Sequence, residues 1–312
     1  MGFSRQLQVG STIKWGSFMA QEILPTLRQV YSNAILAGES ERVCKLIDQG
    51  LANGVVPSKL YLEVVMSVWR EIEALWQRGQ ITILQERIAT QIMLRQMGRL
   101  REMLKARRKL GLKALVSAVV GDQHLVNAQA VADLLMVDGW EVDFLGADVP
   151  TDHLVAYSKA RGANLVYISA TLAEHFSAVQ HLVAQLRMIE AAPKILIGGA
   201  AFAAHPEKAA IIKVDGFSND PQEIVMMARQ VCGVLTAENA LALFLIKLGH
   251  SVHDYRKLRG LSQQELAGSA DLDRAYISAV EHGKQNISIG AISKLAKALN
   301  LSIEELLLGI ES

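Results

Sequence analysis

Two cysteines in 312 residues, Cys44 and Cys232, with no Cys-x-x-Cys, exclude a disulfide framework and argue against a structural zinc site. Six prolines and 23 glycines exclude collagen-like and low-complexity chains. Aromatics reach only 5%, so the cores are expected to be aliphatic. No apolar run reaches about 18 residues, so no membrane span and no membrane partner are expected. The N-terminal MGFSRQLQVG lacks an apolar signal core, and Gln6 stands where a myristoylation site needs Ser or Thr. The expected location is the cytoplasm. Excess charge of either sign is also missing: 32 Lys and Arg face 31 Asp and Glu. The whole chain is therefore no basic polymer binder, and any nucleic-acid contact must come from a local surface.

What is present is apolar, at 51% of residues, in a length that fits two or three domains at roughly 150 residues each. Charge is unevenly placed. Residues 1–110 carry 16 Lys and Arg against 9 Asp and Glu; residues 111–240 carry 8 against 14; residues 241–312 carry 8 against 8. A basic first third beside an acidic middle suits interdomain docking, or simply solvated faces.

Residues 1–16 read as a flexible arm. From 17 to 110 the pattern is helical and predicts a four-helix bundle: Phe18–Leu36, Glu39–Leu51, Pro57–Arg78 and Thr82 to about Lys109. Leu84, Ile88, Ile92 and Leu94 mark an apolar face on the fourth. After Gly111 strands and helices alternate. Strands are expected at Leu112–Val120, Glu141–Leu145, Leu165–Ser169, Lys194–Ile197 and near Val214, with helices between them. Such alternation implies a parallel sheet with helices on both faces, spanning 111–233. In such sheets ligands bind beyond the carboxyl ends of the strands. The first strand is followed there by Asp122, His124 and Asn127, the third by Ser169 and Thr171, the fourth by Gly198-Gly199. An Asp two residues before a His can take one imidazole N–H and leave the other nitrogen to ligate a metal.

At these residues the sequence resembles the cobalamin-binding domain family, which carries Asp-x-His-x-x-Gly, then Ser-x-Leu or Ser-x-Thr, then Gly-Gly. Gly139-Trp140-Glu141-Val142 and Leu145-Gly146-Ala147-Asp148-Val149-Pro150 look like its second-strand segment. The resemblance covers residues 111–235. It implies that His124 is the lower cobalt ligand and that Asp122 orients it. Ser169 and Thr171 would line the tunnel for the detached nucleotide tail, and Gly198 and Gly199 would let backbone approach that tail. The family's motif glycine is Asn127 here, a side chain where a bare backbone is usual. A flavodoxin-like sheet without cofactor is the plainer alternative.

In the family's regulators and methyl carriers a helical bundle precedes this domain and covers the cofactor's upper face. Light-responsive cobalamin regulators of the MerR type have a Trp and, ten residues on, Glu-His. Here Trp76 and Glu86 keep the pair, Arg87 replaces the His, and Gln77 stands where those regulators keep a cobalt-capturing His. The resemblance implies that Trp76 and Glu86 pack over the adenosyl group of adenosylcobalamin, with Trp69 a competing aromatic.

Residues 234–249 read as a helical connector and 250–312 as a last domain, with five short helices over 250–309. Leu261-Ser262-Gln263-Gln264-Glu265-Leu266-Ala267 carries a capping box, and Asp273 can cap the next helix. This segment resembles the helix-turn-helix of phage repressors, the Cro-like XRE family, through Arg259–Gln263, Tyr276-Ile277-Ser278, Glu281–Lys284 and Leu295–Leu299, with Asp271 at the usual turn glycine. The resemblance implies Gln263 on a phosphate and Arg274, Ala275, Ser278 and Ala279 toward base edges. Lys284, Gln285 and Asn286 would meet the backbone.

The expected fold is thus multidomain: an all-α four-helix bundle, an α/β flavodoxin-like parallel sheet and an all-α phage-repressor-type helix-turn-helix. The expected function is a cobalamin-sensing transcriptional regulator on operator DNA, working as a dimer or tetramer. No nucleophile–base pair, P-loop or metal cluster supports catalysis, so no enzyme is expected. A corrinoid methyl carrier, and a regulator whose degenerate pocket takes another tetrapyrrole or nothing, remain as alternatives.

Overall fold

The computed structural model describes residues 20–234 and 237–308; the expected arm at 1–16 lies outside them. The chain divides into two units, residues 1–108 and 109–312.

The first unit is helical. α1 (Ala20–Leu36) carries Pro25, and α2 (Ser40–Ala52) follows a short turn. α3 (Pro57–Lys59) continues through a π turn, Leu60–Val65, into α4 (Met66–Gln77). The π turn brings Leu60, Tyr61, Val64 and Val65 inward together. α5 (Ile83–Met103) starts at a capping box in which Thr82 and Gln85 satisfy each other's backbone N–H. Its last turn stops at Met103, short of Lys109, because Leu104 turns extended. The buried stripe of α5 is Ala89, Ile92, Met93, Met97 and Leu100. Leu84 and Ile88, expected on that face, are exposed.

The second unit begins with a sheet. β1 (Lys113–Ala118), α6 (Val126–Asp138), β2 (Glu141–Gly146), α7 (Thr151–Arg161) and β3 (Leu165–Ser169) alternate, then α8 (Phe176–Leu186) and β4 (Lys194–Gly198). Short α9 (Ala200–Ala204) and α10 (Pro206–Ile211) lead to β5 (Gly216–Phe217) and α11 (Pro221–Val231). β5 sits two residues beyond the expected Val214. All pairings are parallel, in the order β2-β1-β3-β4-β5. This is the flavodoxin-like order, whose switch point lies between β1 and β3. β3 is buried along its length because both faces are covered. Leu115, Val166, Ile168 and Ile197 face one core with Val179, Leu182 and Phe202. Val116, Tyr167 and Leu196 face the other, with Ala128 and Val131 of α6 and Ile224 and Ala228 of α11. Arg229 of α11 holds Asp138 of α6 at 2.6 Å, a nearly dry ion pair that locks these helices together.

α12 (Ala237–Leu258) is one helix of 22 residues, without a break at the expected 249/250 boundary. Leu243 packs in the sheet's second core, while Leu248 and Val252 belong to the core of the last helices. Those are α13 (Gln263–Ala270), α14 (Arg274–Glu281), α15 (Ile289–Ala298) and α16 (Ile303–Leu308). α12 touches the end of α14 closely. A Cβ on Gly249 would lie 2.3 Å from the Val280 carbonyl oxygen.

That contact generates a test. Gly249→Ala is expected to loosen the α12–α14 seam by about 1–3 kcal/mol, since a backbone carbonyl cannot turn aside. Gly268→Ala, with nothing within 4 Å of its Cβ in α13, is expected to stabilise by about 0.5–1 kcal/mol. Urea titrations of both variants read the two signs.

Candidate cofactor and nucleic-acid sites

The first site stands at the carboxyl ends of β1, β3, β4 and β5. After β1 the chain turns through Gly121 (φ 88°), whose N–H donates to Asp148 Oδ1 at 2.8 Å. The turn drops Asp122 inward until it is fully buried. Its Oδ1 accepts the His124 backbone N–H at 2.9 Å and lies 2.7 Å from His124 Nδ1. Its Oδ2 accepts the Thr171 backbone N–H at 2.6 Å. Burial alone would raise the Asp122 pKa, but the hydrogen bonds from His124 and Thr171 outweigh it and hold the group below the usual carboxylate range. An ionised Asp122 accepts the proton of Nδ1 and places the His124 lone pair on Nε2.

Ser169 is fully buried at the end of β3, and its hydroxyl has no partner among the described residues. Thr171 is buried beside it, and Asn127 is half-buried in the first turn of α6. Gly198 and Gly199 crowd the chain's own atoms. A Cβ on Gly198 would lie 2.4 Å from both the Ser218 carbonyl oxygen and the Tyr167 hydroxyl; on Gly199, 2.2 Å from the Ala170 carbonyl oxygen. Glycine is therefore required at both positions whether or not a ligand passes them.

Sequence reasoning missed three residues here. His175, in the 3-10 turn Ala173–His175, brings Nδ1 to 3.7 Å from Asp122 Oδ2. Asn219 follows β5. Buried atoms of both, His175 Nδ1 and Asn219 Oδ1, lack hydrogen-bond partners among the described residues, as Ser169 Oγ does. Tyr167 is the third. A His six residues after the Ser motif was the available signal for His175; Tyr167 and Asn219 carried none. Unpartnered buried polar atoms gathered at one strand edge fit a ligand with polar groups. The donor set, one tautomer-fixed imidazole, fits a metal held by a single protein nitrogen, as in a corrinoid.

The second site is built on α13 and α14. Ser262 and Glu265 form the expected capping box. Asp271 takes the left-handed conformation (φ 50°) and is held by Lys294 Nζ at 2.9 Å. Asp273 makes no side-chain cap, although its backbone is extended as a cap requires. Under the turn, Arg256 grips buried Glu281 with Nε and, at 2.9 Å, with Nη2. Gln263 Nε2 donates to the same carboxylate at 2.8 Å, so its amide faces the ion pair and not open solvent.

Arg274 and Ala275 are exposed, and with half-buried Ala279 and Gln285 they line a shallow concavity that also takes in Gln264 and Tyr276. Ser278 is half-buried and lies outside that lining; Lys284 and Asn286 are exposed. Small Ala275 and Ala279 leave Arg274 as the long projecting donor of this face.

In the first unit, Trp76 is half-buried in the last turn of α4. Glu86 is buried in the first turn of α5 and accepts the Thr90 hydroxyl at 2.8 Å. Trp69 is 2% exposed, a core residue whose indole N–H has no partner among the described residues.

Comparison with known proteins matches the stretches of chain that carry the two sites. Residues 27–101 and 112–226 match two models described as B12 binding domain, and residues 252–306 match one described as Helix-turn-helix. The chain belongs to the B12-binding domain family, with a helix-turn-helix fused after it. Dimethylamine corrinoid protein 3 of Methanosarcina acetivorans is 23% identical over 204 residues, 64% of this chain and 94% of that one. The control protein C.MunI of a Mycoplasma species is 37% identical over 67 residues, 21% of this chain and 90% of that one. The solved monomethylamine corrinoid protein of Methanosarcina barkeri shares the fold, with a TM-score of 0.59 at 21% identity over 70% of this chain and all of that one. Among the described residues no helix is long and apolar enough to cross a membrane.

The ion pair under the helix-turn-helix can be tested by itself. Burial would raise the Glu281 pKa, but hydrogen bonds from Arg256 and Gln263 hold it below the usual carboxylate range. A depressed pKa adds stability above the unfolded value of about 4.3 and loses it as pH falls. Arg256→Met is expected to destabilise this part by about 3–5 kcal/mol at pH 7, leaving a buried charge unpaired. The wild type should soften below about pH 4, and the variant less steeply. Hydrogen exchange of the α14 amides at pH 7 and under acid reads both effects.

Proposed function

We propose that this protein is a one-component, cobalamin-responsive transcriptional regulator that binds operator DNA through α13 and α14. The observation that carries the reading is the buried Asp122–His124 pair on the ligand edge of the sheet. It stands in a chain whose α12 is packed both into the sheet's core and against α14. Cobalamin held there would be ligated by His124 Nε2, with Asp122 fixing the imidazole. Ser169, Thr171 and Asn127 would border the ligand's lower side arm, above Gly198 and Gly199. A change at α11 on ligand binding would reach α14 along α12.

The finer assignments follow the same reading. Adenosylcobalamin is the proposed form, and when bound it supplies a cobalt–carbon bond that light can break. Trp76 and buried Glu86 are the proposed readers of the upper ligand, with Gln77 supplying no capturing imidazole. Arg274 would read a base, with Ala275, Ser278 and Ala279 packed against the groove. Lys284, Gln285 and Asn286 would hold phosphates. Gln263 would do so only by leaving Glu281. With eight basic and eight acidic side chains in residues 241–312, a single copy would bind DNA weakly, so a dimer or higher assembly is proposed. The methyl-carrier reading has the dimethylamine corrinoid relatives in its favour. The helix-turn-helix weighs against it, because a carrier needs no operator.

Titration of operator and scrambled DNA with the full chain tests the proposal, with and without adenosylcobalamin, in the dark and after illumination. Operator affinity is expected to change at least tenfold with the cofactor. Arg274→Ala is expected to cost roughly ten- to a hundredfold on the operator alone, the loss of one bidentate base contact of about 1–3 kcal/mol. Lys284→Ala should weaken all sequences alike. Cofactor binding without any effect on DNA affinity would favour the carrier.

A further inference from the structure

Below Ser169 and Gly198, the space between the sheet and helices α6 and α11 is filled by the chain's own core. Tyr167, in the middle of β3, is 2% exposed and packs in the core shared with Val131, Ile224 and Ala228. Side chains two apart on a strand share a face, so Ser169 stands directly above it on the ligand side. Tyr167 pairs with Leu196 of β4, and Ser169 with Gly198. The phenol runs up along β4 from its own row to the next, and its hydroxyl ends at the Gly198 backbone, 2.4 Å from where a Cβ would be. The Ser218 carbonyl oxygen, just after β5, closes the same spot. The room that the absence of a side chain on Gly198 provides is thus taken by Tyr167. Close-packed interiors hold no spare volume for a second occupant. Above this filled space remain the buried, unpartnered Ser169 hydroxyl and, at the start of α6, half-buried Asn127.

Resting on the corrinoid reading above, we propose that Tyr167 is a specificity-determining residue. It fills the space beneath Ser169 and Gly198 that a nucleotide tail would need, so that the site takes a corrinoid with a short or missing tail in preference to cobalamin. Such a ligand still presents cobalt to His124, and its short polar side arm ends at the Ser169 hydroxyl. A full nucleotide must first turn the Tyr167 ring out of a core in which the neighbouring side chains are themselves buried.

The full chain is titrated with aquocobinamide, which lacks the nucleotide, and with hydroxocobalamin, following the visible spectrum. The wild type is expected to bind cobinamide at least tenfold more tightly. Tyr167→Leu removes the ring's outer half and is expected to tighten hydroxocobalamin at least tenfold, leaving cobinamide within about twofold. Tyr167→Phe keeps the ring and should keep most of the wild-type preference. Tyr167→Val, suited to a buried strand, gives the same comparison if the Leu variant does not fold. Wild type that prefers hydroxocobalamin overturns the proposal, as does a folded Leu or Val variant whose cobinamide-to-cobalamin ratio is unchanged. Failure of both corrinoids to bind wild type overturns the corrinoid reading itself, and this inference with it.

Discussion

The ligand edge of the sheet is organised around one carboxylate with no access to solvent. Leaving a buried charge unpaired is costly, so Asp122 must be met by donors from every side it faces. It is met by the His124 backbone and ring and by the Thr171 backbone, at 2.9, 2.7 and 2.6 Å. These bonds join the loop after β1 to the loop after β3, at the point where the strand order reverses. The crevice of a doubly wound sheet opens there, and its two lips are held by the same side chain. The charge also decides which imidazole nitrogen carries the proton, so the structural and chemical roles of Asp122 are one interaction.

The helix-turn-helix repeats the device. Glu281 is buried at the foot of α14 and is met by Arg256 from α12 and Gln263 from α13. Removing either charge would strand the other, which fixes the angle between the supporting helix and the one presenting Arg274. α12 carries Arg256 at one end and Leu243 in the sheet's core nearer its other. The sheet's second core and the Arg256–Glu281 pair are thus tied to different parts of one helix, with the Gly249 contact sealing its side against α14.

Much of this was legible in the residues. The switch from helical to alternating pattern after Gly111, the strands with His124 and Ser169 at their ends, and the capping box at Ser262 all rest on local chemistry, and the structure contains them. Properties set by packing were not legible. The apolar face of α5 was misplaced because Leu84 and Ile88 share its periodicity with Ile92 yet lie outside the core. Gln263 is expected on a phosphate because nothing local reveals that Glu281, eighteen residues on, is buried beneath it and takes its amide. The connector and the first helix of the last domain read as two elements, whereas Leu243 and Leu248 anchor one helix in two cores. Gly198 and Gly199 are expected to let backbone approach a ligand; only the three-dimensional register shows Tyr167 and two carbonyls standing where their side chains would be.

The claim on which the account turns is that His124 supplies a nitrogen to cobalt. Paramagnetic resonance of the full chain loaded with cob(II)alamin, prepared with natural and with nitrogen-15 histidine, tests it directly. A histidine ligand predicts nitrogen superhyperfine splitting that changes from triplets to doublets on labelling. Triplets unchanged by the label would leave the cofactor's own base on cobalt, and an absence of nitrogen splitting would leave no nitrogen there at all; either result contradicts the account.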